Sequence, residues 1–525
     1  MSVYNILFCF FWVGVLMVTL GDMVSISSYV EWYFFNFKMN FYFNSLSFAL
    51  ILFFVTVSVL VFSSYYMSGE INIFYFLFVL MIFVGSMFFL NFSYSVLAML
   101  VSWDILGISS FFLVLFYNNW DSCSGAMNTV LTNRVGDYFL FLFFGMVMFC
   151  TLSFFIVEYF FVVGVFLLVA AGFTKSAQFP FSGWLPKAMS APTPVSSLVH
   201  SSTLVTAGLI LIMNFSMMLF SSMGLLMILA LGLLTMFFSS IAALVEEDMK
   251  KVVALSTLSQ MGFAALTIGL SLNFISLVHL LSHALFKSCL FMQIGFFIHS
   301  SFSQQDGREY SNLNQTPFFI LLQMLVTLFC LCGLIFSSGA VSKDYILELF
   351  FGGFWGVMIV MMFFCTVFLT FGYSYRLWKS LYMNFSKVVF HNNGSILVGG
   401  LSSVLIFFSV VFLWWLSENI FFVPVIFLYV DFFSPLVYIF ILLFLGFICL
   451  KFMSGEMKYK FLADYDAKHS VFFISNGKSV DVFLEQMNIK GFSIFSFGGG
   501  LMNMMFKSLN FNMIMILVIF IFLFS

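Results

Sequence analysis

Apolar runs long enough to cross a bilayer as helices, roughly 17–25 residues each, recur from one end of this chain to the other. No large soluble domain has room between them. Only 8% of the 525 residues are charged, against about 25% in soluble domains. The chain therefore reads as an all-α polytopic membrane protein. A sliding window gives about fifteen helices, with cores near 3–20, 45–66, 72–91, 93–117, 127–151, 154–174, 194–213, 217–244, 250–271, 274–299, 317–337, 346–372, 396–416, 433–452 and 509–524. The first segment lacks a basic leader and a small-residue cleavage site, so it reads as a retained helix.

Basic residues set the orientation. Lys187, Lys250, Lys251, Arg308, Arg376, Lys379 and Lys387 follow even-numbered helices, as do Lys451, Lys458, Lys460, Lys468 and Lys478. The even loops and the N-terminus are then expected on the electrically negative side. Residues 453–508 are too polar to span and too apolar to float free, which predicts a lateral interfacial helix, with an ordinary loop as the alternative. No basic patch suggests nucleic acid. The eight cysteines are scattered without a C-x-x-C pair, so neither a disulfide framework nor a zinc or iron–sulfur site is indicated. The 83 phenylalanines are tolerated because lipid solvates Phe as well as Leu, and they suggest a thymine-rich genome of the organellar kind.

Against this background, ionisable side chains inside the spans are the informative residues, since each costs about 2.5–3.5 kcal/mol at a helix centre. Asp104 in 98-AMLVSWDILGISSFF-112 reads either as a protonated, hydrogen-bonded carboxyl or as half of an ion pair or proton site. Arg134 and Asp137 lie three apart and share a helix face, as a local pair or as a charge-coupling element. Lys175 opens 175-KSAQFPFSGWLPKAMSAPTP-194, which holds four of the seven prolines. A broken helix beside an ionisable group points to a transport site, and the alternative is a lysine snorkelling at a helix end. His279, His283 and Lys287 recur every four residues in 277-LVHLLSHALFKSCL-290. That spacing makes one polar stripe, drifting about 40° per step. The stripe reads as a proton relay, with haem or metal ligation and inert packing as rivals. A second break precedes Lys343 and Asp344 in 330-CLCGLIFSSGAVSKDYILEL-349, hinting at an internal repeat, with a surface lysine as the alternative.

The stretches 174-TKSAQFPFSGWLPKAMSAPTPVSSLVHSSTLVTAG-208, 247-EDMKKVVALSTLSQMGF-263, 279-HLLSHALFKSCLF-291 and 342-SKDYILE-348 resemble the antiporter-like membrane subunits of proton-pumping NADH–quinone oxidoreductase, respiratory complex I. The loop 299-HSSFSQQDGRE-309 and the long tail are similar to the family member whose lateral helix runs along the membrane arm. The resemblance implies two inverted five-helix repeats with broken helices. It divides the chain into N-terminal helices (1–91), two repeats (92–213 and 214–375), further helices (376–452), a lateral helix (453–508) and a final anchor (509–525).

It also implies that Asp104 pairs with Lys175, that Lys287 is the central-channel lysine, and that His200, His279 and His283 line an aqueous path. Lys343, with Asp344, would govern exit at the second break, and Arg134 and Asp137 match the family's Arg-x-x-Asp. Asp104 stands where the family usually has glutamate, which shortens the expected reach to Lys175.

The implied function is proton translocation in the mitochondrial inner membrane. No cofactor is expected on this chain: NADH, flavin, iron–sulfur clusters and ubiquinone would be bound by partner subunits. The partners implied are other membrane-arm subunits, chiefly the neighbouring antiporter-like one, and lipids. Two other classes stay open: a subunit of a multi-subunit sodium/proton antiporter, and a haem-carrying redox subunit resting on His279 and His283.

Overall fold

The computed structural model describes residues 43–93, 96–152, 157–215, 222–307, 310, 318–333, 338–339, 342–343, 346, 357–382 and 396–412. The expected helix at 3–20, the expected span at 433–452, the lateral helix and final anchor, Arg308 and Asp344 lie outside them.

The elements of the described residues are helices: α1 (Phe43–Tyr66), α2 (Ile73–Phe92), α3 (Val96–Val114), α4 (Trp120–Leu152) and α5 (Val157–Lys175) come first. After an interrupted stretch follow α6 (Leu204–Asn214), α7 (Ser222–Val245), α8 (Met249–Gly269), α9 (Asn273–Ser300), α10 (Phe318–Cys332), α11 (Val357–Tyr382) and α12 (Ile396–Phe407). Eight helical segments in this region are long and apolar enough to cross a membrane. The chain is a multi-pass membrane protein.

Hydropathy places these helices well but misjudges some ends. The helix expected over 346–372 is observed over Val357–Tyr382, so Arg376 and Lys379 sit on α11 and not in the loop after it. Tyr373, Leu377 and Leu381 recur every four residues and are buried, and that packed stripe carries the helix past the point where hydropathy falls. Likewise Lys250 and Lys251 lie in the first turn of α8.

α9 is the hub. It packs against α1, α8, α10, α12 and the interrupted stretch before α6, and almost all of it from Ser276 to Ser300 is buried. The loops after α7 and α9 meet on one face. There Asp248 and Asp306 form an isolated β-bridge, and Gly307 N donates to Glu247 O at 3.0 Å. Arg376 joins the same face by donating to the final carbonyls of α7, Ala243 O at 3.3 Å and Leu244 O. These three helix ends thus share one side, as the even-loop pattern requires.

α5 and α6 cross by backbone contact. A Cβ on Gly208 would stand 2.2 Å from Gly172 O and 2.9 Å from Ser176 N. Gly208→Leu is therefore expected to force the pair apart next to Lys175, at the upper end of the about 1–3 kcal/mol that overpacking costs. Thermal melting of the detergent-extracted protein checks this: a clear loss of stability is expected, and an unchanged melting point contradicts the crossing.

Candidate functional site

α5 ends where its last residues can no longer extend the ladder. Ser176 N still reaches Gly172 O at 3.0 Å and Gln178 N reaches Phe173 O at 3.0 Å. Ala177 then turns with φ 55°, a left-handed value uncommon for a residue with a Cβ. A single turn, Trp184–Lys187, follows. Its indole closes the break by donating from Nε1 to Thr174 O at 3.0 Å. On the far side, Thr235 of α7 donates to Gln178 Oε1 at 2.6 Å. Irregular backbone is stable at membrane depth only when protein satisfies it in this way.

Lys175 is fully buried. Its Nζ donates to Trp103 O of α3 at 2.6 Å and lies 3.8 Å from the centroid of the Trp103 ring. An ammonium held by a carbonyl and an aromatic face is stabilised without a direct carboxylate partner. This burial removes the snorkelling alternative.

The carboxylates are arranged differently from the expected pairing. Arg134 Nη1 donates to Asp104 Oδ1 at 3.0 Å and to Asp137 Oδ2 at 3.1 Å. Asp104 is thus bonded to Arg134, and no ion pair within 4.0 Å joins it to Lys175 among the described residues. The Asp104 side chain is 40% exposed and that of Asp137 only 8%. Aspartate lacks the extra methylene of the expected glutamate, and the long guanidinium claims it first. The buried Oδ1 of Asp137 has no hydrogen-bond partner.

His200 lies on Ser196–Thr203, a segment wound as a π-helix. The cause is local: 196-SSLVHSST-203 is dense in hydroxyls that compete for helix carbonyls. Ser202 Oγ donates to Leu198 O at 3.0 Å and Thr203 Oγ1 to Leu198 O at 2.8 Å. His200 packs edge-on to Trp184, ring centroids 6.1 Å apart, and neither ring nitrogen has a partner.

His279, His283 and Lys287 are all buried on α9. His279 Nδ1 and Ser342 Oγ are 2.9 Å apart, which ties the stripe to the second break. Both nitrogens of His283 and Nε2 of His279 lack partners. Lys287 Nζ donates to Ser256 Oγ of α8 at 2.5 Å. Lys343 is buried too, so it is no surface lysine. It donates to Leu331 O at 2.7 Å and Cys332 O at 3.2 Å, the terminal carbonyls of α10 that a helix leaves unbonded. Gly333 just beyond has φ +76°, and a Cβ there would stand 2.7 Å from Lys343 Cδ.

Two groups result: Asp104, Arg134, Asp137 and Lys175 across α3, α4 and α5, and His279, His283, Lys287 and Lys343 around α9 and the second break. His200 belongs to neither by a hydrogen bond. Reading the sequence missed Trp103, Ser256, Ser342 and Lys250, whose Nζ donates to Ala191 O at 3.4 Å. The three serine or tryptophan partners carry no charge to attract notice. Only the spacing in 255-LSTLSQ-260, which puts Ser256, Ser259 and Gln260 on one face, marks α8 as polar.

A bundle of spanning helices, interrupted twice beside buried lysines, has the form of an antiporter-like membrane subunit. The family described as NADH:quinone oxidoreductase/Mrp antiporter, transmembrane, matches residues 93–370. NADH-ubiquinone oxidoreductase chain 5 of Caenorhabditis elegans is 59% identical over 98% of this chain and 97% of its own length. The Ascaris suum chain 5 is 58% identical over 98% and 94%. The solved Mrp complex of a Dietzia species has the same fold, with TM-score 0.72 at 21% identity over 97% of this chain; this chain spans 58% of that one. The chain belongs to the NADH-ubiquinone oxidoreductase chain 5 family, within the broader NADH:quinone oxidoreductase/Mrp antiporter transmembrane family.

The shared guanidinium makes a direct prediction. Arg134→Met leaves the buried Asp137 carboxylate unpaired and is expected to destabilise by about 1.5 kcal/mol, the low end for hydrogen bonds to charged groups because Arg134 is half exposed. Arg134→Met combined with Asp137→Asn is expected to recover most of that loss in a thermal melt. A double variant worse than the sum of the singles contradicts the arrangement.

Proposed function

We propose that this chain is a proton-translocating core subunit of the membrane arm of respiratory complex I, in the mitochondrial inner membrane, coupling NADH-to-ubiquinone electron transfer to proton movement. The observation that carries this reading is Lys175: an amine fully buried at a helix break, held by the carbonyl of Trp103, whose chain neighbour Asp104 belongs to the Asp104–Arg134–Asp137 cluster. An amine so placed gains and loses its charge in response to small changes in local field, because Coulomb terms stay at several kcal/mol even at an effective dielectric near 20. Near-full-length identity to chain 5 relatives favours this reading over a sodium/proton antiporter subunit.

The sequence of events follows from the groups. Redox chemistry on partner subunits, which bind NADH, flavin, iron–sulfur clusters and ubiquinone, changes the field at the Asp104–Arg134–Asp137 cluster. Arg134 shifts its share between the two carboxylates, and Lys175 releases a proton from Nζ. Partnerless buried imidazole nitrogens on His200, His279 and His283 are sites that water satisfies, and water there joins Lys175 to Lys287. The Lys287 proton passes by way of His279 and Ser342 toward Lys343, and Lys343 with Asp344 governs exit.

The outer side of the cluster indicates a partner. Asp104 and Arg134 are half exposed amid Val101, Ile105, Leu131, Val135 and Tyr138, all exposed apolar side chains. A charge pair turned toward hydrocarbon is costly, so a neighbouring membrane-arm subunit covering this face is the reading it supports.

Lys175→Met is expected to lower coupled NADH–ubiquinone turnover by about a hundredfold or more, the scale of a lost proton-transfer group. NADH oxidation with an artificial acceptor at the peripheral arm should be unaffected. Full coupled turnover in that variant overturns the proposal.

A further inference from the structure

Lys287 and Lys343 lie on different elements, yet one helix contacts the surroundings of both. Lys287 Nζ donates out of its own stripe to Ser256 Oγ of α8. One turn along α8, Ser259 Oγ donates to Ser256 O at 2.9 Å and stands 3.2 Å from Tyr373 Oη of α11. Gln260 Nε2 approaches the same phenol oxygen at 3.5 Å. Since Ser259 spends its proton on the Ser256 carbonyl, the phenol is the donor in its contact with Ser259.

The next residue of α11 contacts a residue whose carbonyl holds the other lysine. Ser374 Oγ lies 3.0 Å from Cys332 Sγ, and Cys332 supplies one of the two carbonyls that hold Lys343. Tyr373 and Ser374 are both buried, as are Ser256, Ser259, Gln260 and Cys332. Polar groups at this depth are costly and bond among themselves. Here they converge on two consecutive residues of α11.

We propose that Tyr373 and Ser374 are positioning residues for proton transfer: Tyr373 fixes the α8 face that offers Ser256 Oγ to Lys287, and Ser374 fixes the α10 end that offers its carbonyls to Lys343. α11 thereby holds the acceptors of both lysines in one register. A displacement of α11 moves both acceptors together, whereas the His279–Ser342 contact links the lysines through α9 alone. This inference rests on the proton-translocating reading and adds two residues to it that carry no charge.

The test uses the assembled complex in sealed membranes. Tyr373→Phe keeps the ring in its packing and removes only the hydroxyl; Ser374→Ala removes the other. Each is expected to lower coupled kcat about fivefold, the equivalent of one hydrogen bond. KM for NADH and ubiquinone and the artificial-acceptor rate should be unchanged. Ser374→Thr, which keeps the hydroxyl, should restore turnover, and a merely structural role predicts no such split. Should Tyr373→Phe fail to assemble, Ser259→Ala removes the same contact from the α8 side and is expected to give the same loss of kcat. Lys287→Met is run alongside. Slow turnover in Lys287→Met with normal kcat in the hydroxyl variants overturns this inference alone. Normal turnover in Lys287→Met overturns the proton-translocating reading as well.

Discussion

An amine buried in a membrane protein must find an acceptor, and in this chain backbone carbonyls supply most of them. Lys175 takes the carbonyl of Trp103, Lys343 those of Leu331 and Cys332, and Lys250 that of Ala191. Carbonyls are neutral dipoles, so they hold an ammonium without fixing its charge as a tight carboxylate pair does. The helix breaks follow from this need. Ending α10 at Cys332 frees two carbonyls for Lys343, and ending α5 at Lys175 lets that side chain cross to α3.

The carboxylates are kept one step removed. Arg134 binds Asp104 on the half-exposed side and Asp137 on the buried side, and Trp103, the residue before Asp104, holds Lys175. The strained turn at Ala177 and the π-wound segment around His200 are tolerated because the surrounding helices over-determine them: Trp184 and Thr235 pin the first break, and hydroxyl back-bonds support the second irregularity.

Much of this was legible in the sequence because hydropathy and charge are strong signals in a membrane. The spans from α1 to α5 and from α7 to α9 fall close to their windows, the window at 194–213 takes in the π-wound stretch together with α6, and Arg134–Asp137 pair as their spacing suggests. What stayed hidden has physical reasons. The partner of Asp104 depends on side-chain reach between helices, which spacing along the chain does not contain, so Lys175 was expected where Arg134 stands. The end of α11 lies beyond its hydropathic limit because Tyr373, Leu377 and Leu381 pack as a stripe. Trp103, Ser256 and Ser342 act through a carbonyl or a hydroxyl, groups common in every spanning helix, and nothing in composition separates them from neighbours that do nothing.

The proposed translocation requires that the buried polar groups form a hydrated route between lysines rather than isolated packing defects. An experimental structure of the assembled complex, at a resolution that shows ordered water, tests it most directly. Water is expected bonded to His283, to His279 Nε2 and to Gln260 Oε1, each buried without a protein partner, in a chain reaching from Lys175 to Lys287. Tight apolar contact around these atoms, with no water between the two lysines, would contradict it.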